Sequence, residues 1–269
     1  MNPGMPQKMS LPGVKHVIAV ASGKGGVGKS TVAANLALAL HASGKKVGLM
    51  DADIYGPSVP MMFGLGTVNP ETTPFPIQKY GISLMSMGFM VDPNQPVIWR
   101  GPKVAQAVQA FLGQIPWGDI DFLVIDLPPG TGDAQLTLSQ SAPLSGAVIV
   151  TTPQDVSLID ARKGVRMFQE VKVPVIGVIE NMSYLTLDDG SRYEPFGSGG
   201  GQKLAAEIGV PLLAELMIDK RISQCGDSGE PMVRKYPDSV IAKAYMGLAE
   251  RVITEMLHSS AARLPEVIF

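Results

Sequence analysis

The stretch His16-Val-Ile-Ala-Val-Ala-Ser22 runs without a break into Gly23-Lys-Gly-Gly-Val-Gly-Lys29-Ser30, and Thr31-Val-Ala-Ala-Asn-Leu-Ala-Leu-Ala-Leu follows. An apolar strand, a glycine-rich loop and a helix in that order constrain the fold more than any other feature. The spacing is G-x4-G-K-S, the pattern of a phosphate loop. Gly23, Gly25, Gly26 and Gly28 let backbone N–H groups turn inward and approach phosphates with no side chain in the way. The helix N-terminus adds its positive end. Lys29 is placed to reach β- and γ-phosphates and Ser30 to ligate Mg²⁺.

The rest of the chain repeats the strand–helix alternation. Strands are expected at His16–Ala21, Lys46–Met50, Ile82–Met87, Asp121–Asp126, Ala147–Thr151, Val175–Glu180 and Leu212–Leu216. Most are continuous Val/Ile/Leu runs, the mark of strands buried on both faces of a parallel sheet. Helical patterns fall near 28–43, 102–114, 134–141, 157–171, 200–208 and 235–258. Together they predict an α/β fold with a doubly wound, mainly parallel sheet. Residues 1–14 read as a flexible leader and 15–269 as a single domain, with 64–81 an irregular excursion upon it. At 269 residues, 45% hydrophobic and 17% charged, the chain has material for a sizeable core.

Carboxylates close two of the strands. Lys46–Met50 leads into Asp51-Ala-Asp53, and DFLVID ends on Asp126, followed by Leu-Pro-Pro-Gly-Thr-Gly-Asp133. An apolar strand closing on Asp, like the 121–126 run, suits a carboxylate holding Mg²⁺, and Gly130 and Gly132 leave the next loop free to respond to a γ-phosphate. A lone Asp at a strand end also serves as a cap or turn former.

Lys24, directly after the first glycine, makes the loop resemble the deviant phosphate loop of the ParA/MinD class of ATPases. That resemblance implies a homodimer sandwiching ATP, with Lys24 reaching the partner's nucleotide. It also implies that Asp53 orients the attacking water, that Asp51 supports the Mg²⁺ shell and that Asn181 binds adenine. The implied nucleotide-binding set is Gly23, Lys24, Gly25, Gly26, Val27, Gly28, Lys29, Ser30, Thr31 and Asn181. Lys24, Lys29 and Asp53 are the catalytic candidates, and Ser30, Asp51 and Asp126 the metal candidates.

Longer blocks are similar to one family, the Mrp/ApbC iron–sulfur carrier ATPases. They include Asp51-Ala-Asp-Ile-Tyr-Gly-Pro-Ser58, Trp99-Arg-Gly-Pro102, Asp126 to Thr137, Val150-Thr-Thr-Pro-Gln-Asp155, Glu180-Asn-Met-Ser183, Phe196-Gly-Ser-Gly-Gly-Gly201 and Gly226-Asp-Ser-Gly-Glu-Pro231. The resemblance implies ATP hydrolysis and delivery of iron–sulfur clusters to apoprotein clients. Two departures stand out. Many relatives carry a small domain ahead of the phosphate loop, where this chain has about fourteen residues. Relatives also place C-x-x-C a few residues after N-M-S; here the matching positions are approximately Leu187 and Gly190, which cannot ligate iron. The single cysteine, Cys225, lies about forty residues further on, and two copies supply two thiolates where such clusters take four. A nucleotide-switched interaction protein of the ParA/MinD kind, without a cluster, is therefore the alternative.

Composition excludes other classes. A net charge of -2 argues against a nucleic-acid or anionic-membrane binder, and one cysteine against a disulfide framework. The run Val17–Ala21 is too short to span a membrane, and the start lacks signal-peptide character. A cytoplasmic protein is expected. The methionines between 61 and 90 suit either an adaptable partner surface or the core, with Met85 and Met87 at core-strand spacing. His16, His41 and His258 are too isolated to suggest a metal site.

Overall fold

Parallel strands buried on both faces need apolar side chains at every position, and the Val/Ile/Leu runs supply them. The computed structural model describes residues 9–66, 68–69, 71–73, 75–90, 107 and 110–261. Its strands are β1 (Val14–Ala21), β2 (Val47–Asp51), β3 (Ile77–Lys79), β4 (Ile82–Ser86), β5 (Ile120–Asp126), β6 (Gly146–Thr151), β7 (Val175–Asn181), β8 (Leu185–Thr186), β9 (Arg192–Tyr193) and β10 (Leu212–Leu216). Eight of them form one sheet in the order β10-β7-β6-β1-β5-β2-β4-β3, while β8 and β9 make a separate hairpin. Among the described strands of the large sheet only β3 runs antiparallel. β1 and β6 are neighbours whose crossovers run in opposite directions, from β1 towards β2 and from β6 towards β7, which opens a crevice at their carboxyl ends.

Helices cover both faces. α1 (Lys29–Ala42) is almost wholly buried between the sheet and α8 (Val240–Ala261), which explains why it is apolar all round. α2 (Val59–Met62), α6 (Lys220–Asp227) and α7 (Met232–Lys235) lie on this same side. α3 (Asp133–Ser141), α4 (Asp155–Glu170) and α5 (Gly200–Ile208) pack on the other face.

Several expectations shift. The helix expected over 235–258 is broken. Lys235 closes α7, Pro237 interrupts, and α8 starts only at Val240. Within 64–81 the chain forms β3 instead of remaining irregular throughout. The 102–114 helix falls largely outside the described residues, although 110–114 are helical. Of the 1–14 leader, 1–8 lie outside the described residues, while Met9 and Leu11 pack on the α3–α5 side and Val14 opens β1. Met85 and Met87 are core, but Met61 is exposed.

Candidate active site

β1 delivers the chain into the loop through buried Ser22, whose hydroxyl donates to the Lys24 carbonyl at 2.9 Å. Two glycines here have no substitute. A Cβ on Gly23 would lie 2.1 Å from the Asp160 backbone, so the loop can hug α4 only without a side chain. Gly28 has φ +81°, and a Cβ there would meet Asn181 Nδ2 at 2.3 Å. Gly28 is also the residue before α1, and no side chain caps that helix, so its first amides point into the loop uncompensated.

The carboxylates meet beneath the loop because Asp51 and Asp126 are register partners at the ends of adjacent β2 and β5. Lys29 Nζ contacts Asp126 Oδ1 at 2.5 Å, Ser30 Oγ at 3.3 Å and Asp53 Oδ2 at 4.0 Å. Lys29, Asp53 and Asp126 are all buried. Asp53 Oδ1 also accepts from the Gly56 N–H at 3.2 Å. Asp51 is enclosed by protein donors: Oδ1 accepts from the Asp53 N–H, and Oδ2 from the Val59 N–H and the Ser86 hydroxyl. Burial, with the Asp126 charge beside it, pushes the Asp51 carboxyl up to about 7. Burial also raises Asp126, opposed by Lys29 and by the Ser30 hydroxyl.

This donor set fits a hard divalent cation. Asp126 Oδ2 is buried without a hydrogen-bond partner among the described residues, and the Ser30 hydroxyl lies beside the same carboxylate. No three His, Cys, Asp or Glu side chains form a ready cage among the described residues. Mg²⁺ keeps waters and takes substrate phosphates as ligands, so it needs few from the protein. Asp51, with both oxygens engaged, can fix the geometry but does not face a cation directly.

The cleft, about 240 Å³, is lined by the loop together with Lys24, Thr31, Asp53 and Pro129. It opens into a larger apolar slot of about 510 Å³ that shares Gly28, Thr31, Ser58 and Met62. Asn181 lines this slot, and its Nδ2 donates to the Val27 carbonyl at 2.8 Å, tying β7 to the phosphate loop. Sequence reasoning missed Met182, Phe196, Met217, Ile218, Asp219 and Ile222, which complete the slot. Most follow the carboxyl ends of β7 and β10, where ligands of open α/β sheets bind, so that rule was the available signal. Met182 holds φ +57°, a conformation that costs about 1 kcal/mol or more in a residue with a side chain.

The β8–β9 hairpin carries Leu187, Asp188, Asp189 and Gly190 at its exposed tip, closed by Gly190 N–H to the Leu187 carbonyl at 2.9 Å. Cys225 is 1% exposed, with its Sγ against Met232 Sδ at 3.8 Å, and burial raises its thiol pKa. Neither the tip nor Cys225 offers an accessible thiolate, so these residues do not fit a cluster-ligand set.

A phosphate loop at the switch point of a parallel sheet, with a buried lysine–carboxylate centre below it, defines a nucleotide-binding P-loop NTPase of ParA/MinD architecture. The family model described as ParA, NUBPL iron-transfer P-loop NTPase, matches residues 13–253. The chain is 51% identical over 257 residues to an iron–sulfur cluster carrier protein of Synechocystis, covering 92% of this chain and 73% of that one. A nucleotide-binding protein from Archaeoglobus fulgidus, solved in complex with ADP, superposes with a TM-score of 0.71 at 40% identity over 84% of this chain and 90% of that one. The septum site-determining protein MinD of Pyrococcus horikoshii, complexed with Mg-ADP, gives a TM-score of 0.68 at 25% identity over 93% and 100%. This chain therefore belongs to the NUBPL-type iron-transfer family of P-loop NTPases, among whose members are iron–sulfur cluster carrier proteins. Among the described residues no helix is long and apolar enough to cross a membrane.

Proposed function

We propose that this chain is a cytoplasmic Mg²⁺-dependent ATPase that works as a homodimer and drives the transfer or assembly of iron–sulfur clusters on client apoproteins. The observation carrying the chemistry is the convergence of Lys29, Ser30, Asp53 and Asp126 under one glycine loop. Ser30 and Asp126 are the residues that would hold Mg²⁺, which supplies charge neutralisation on the phosphates when bound. Lys29, and Lys24 of the partner copy, offset charge on the transferring γ-phosphate, where positioning and electrostatics dominate. Asp53 places the attacking water on the side opposite the leaving ADP. The apolar slot takes the base against Met182 and Phe196, and the Asn181 carboxamide, one N–H already spent on Val27, selects adenine by its remaining polar groups.

Two variants test this reading. Lys29→Ala is expected to lose nucleotide binding by at least a hundredfold in equilibrium dialysis. Asp53→Ala is expected to bind ATP within a few-fold of wild type and to lose turnover by at least a hundredfold. Ordinary hydrolysis by the Asp53 variant would overturn the water-positioning role.

The hairpin tip supports a second reading, a nucleotide-switched interaction protein that binds no cluster. Anaerobic reconstitution with iron and sulfide, counted per dimer beside a Cys225→Ala control, separates the two. Stoichiometric cluster in the wild type keeps the chain as a carrier. None leaves it as an accessory or switch built on the same ATPase centre.

A further inference from the structure

Among the described residues the sheet ends on β10, whose outer edge has no neighbouring strand. Along it runs a groove of about 560 Å³, walled by α5 through Gln202, by α8 through Lys243, Gly247 and Arg251, and by the hairpin through Tyr184 and Arg192. Leu212, Leu213, Ala214, Ala244 and Leu248 supply its apolar lining. Lys243, Gly247 and Arg251 are spaced four apart, so they form one line along α8 facing the strand. A Cβ on Gly247 would touch nothing within 4 Å, so the middle of that wall is open.

Charge in the groove is one-sided. Arg192, Lys243 and Arg251 line it against the single carboxylate of Glu215, in a chain whose net charge is -2. None of the three cations pairs with a carboxylate among the described residues. Arg192 instead lies 4.0 Å over the Tyr184 ring, and Arg251 Nη1 donates to the Leu213 carbonyl at 2.7 Å. That last contact shows that the Leu213 carbonyl points into the groove and accepts a hydrogen bond there. Leu213 is also where the β10–β7 register shifts, so Arg251 holds a carbonyl that the bulge leaves outside that ladder.

We propose that this edge is a docking site for an extended acidic segment of a partner protein, which adds to β10 as a further parallel or antiparallel strand. Backbone pairing along β10 supplies affinity, and acidic side chains alternating along the segment meet Arg192, Lys243 and Arg251. β10 is five residues long with a bulge at Leu213, and its regular stretch for pairing is Ala214 to Leu216. On docking, Arg251 exchanges the Leu213 carbonyl for a carboxylate of the segment. The groove is lined by none of the phosphate-loop residues, so the proposal stands independently of the nucleotide chemistry.

The test is fluorescence anisotropy of a labelled acetylated peptide alternating Glu and Val, at moderate salt, against its Lys/Val counterpart. The acidic peptide is expected to bind saturably and at least tenfold more tightly than the basic one. The exposed double substitution Arg192→Glu with Lys243→Glu should weaken it at least tenfold while leaving the melting temperature unchanged. N-methylation of alternate backbone nitrogens of the peptide should also weaken it at least tenfold. Absence of saturable binding overturns the proposal, as does affinity indifferent to the charge reversal. Affinity indifferent to N-methylation removes strand addition, and with it the proposal. A single-stranded oligothymidylate that binds more tightly and displaces the peptide would instead make the groove a nucleic-acid surface.

Discussion

Asp51 is fully buried, and desolvation with the Asp126 charge pushes its carboxyl up to about 7, with three protein donors partly offsetting the rise. The sign of its effect on stability follows. Its pKa rises from 3.8 in the unfolded chain to about 7 in the fold, so the native state holds the proton more tightly. The stabilisation from that proton is complete below about pH 4, is lost as pH climbs towards 7, and stays lost above it. Asp126 is shifted in the same direction and adds to the slope. Asp51→Asn keeps an acceptor for the Asp53 N–H but cannot ionise. Urea unfolding of wild type and variant between pH 4 and 8 should show the variant gaining about 1–3 kcal/mol on wild type across that window. Parallel stability curves would mean that Asp51 does not titrate there.

At the level of elements, what could be read from the chain depended on how many residues carried each signal. The phosphate loop and the Asp126 strand were legible because whole runs of apolar residues end at the chemistry, and Lys29, Asp53 and Asp126 do meet below the loop. β8 and β9 were not, because two residues each give no periodicity. α6 was missed although it had a signal: Asp219 accepts from the Arg221 N–H as an N-cap. The 235–258 reading ran through Pro237 because the charges on both sides share a helical pattern. The apolar slot was invisible for a different reason, since its lining comes from loops brought together only by the sheet order. The start of α5 shows how tightly those loops are set. A Cβ on Gly200 would lie 2.3 Å from the Pro153 carbonyl oxygen, and Gly201 N–H donates to buried Glu180. Gly200→Ala should therefore cost about 2–4 kcal/mol in chemical denaturation, as the helix is forced off the end of β6. Gly247→Ala, with open space in mid-helix, should be neutral or stabilising by up to about 1 kcal/mol. Equal losses at both positions would show that close approach is not what selects glycine at 200.

Exposed Tyr55, Met61, Val156, Ile159 and Phe196 all lie on segments that follow the carboxyl ends of strands, the rim on which the phosphate cleft opens. An apolar rim around a charged cleft suits closure against a second copy, with half-buried Lys24 reaching across. Sedimentation of Asp53→Ala with ATP and Mg²⁺ should give a dimer, and adding Lys24→Ala should leave a monomer that still binds ATP. Four thiolates in such a dimer require two from each chain. Leu187→Cys with Gly190→Cys supplies them. Gly190 has φ +82°, so the second change costs about 1–2 kcal/mol, which an exposed turn tolerates. Anaerobic reconstitution of this double variant should yield one cluster per dimer even when Cys225 is replaced by Ala, whereas wild type should yield none. A wild-type cluster that disappears with Cys225→Ala would instead require Cys225, 1% exposed against Met232, to leave the core on loading.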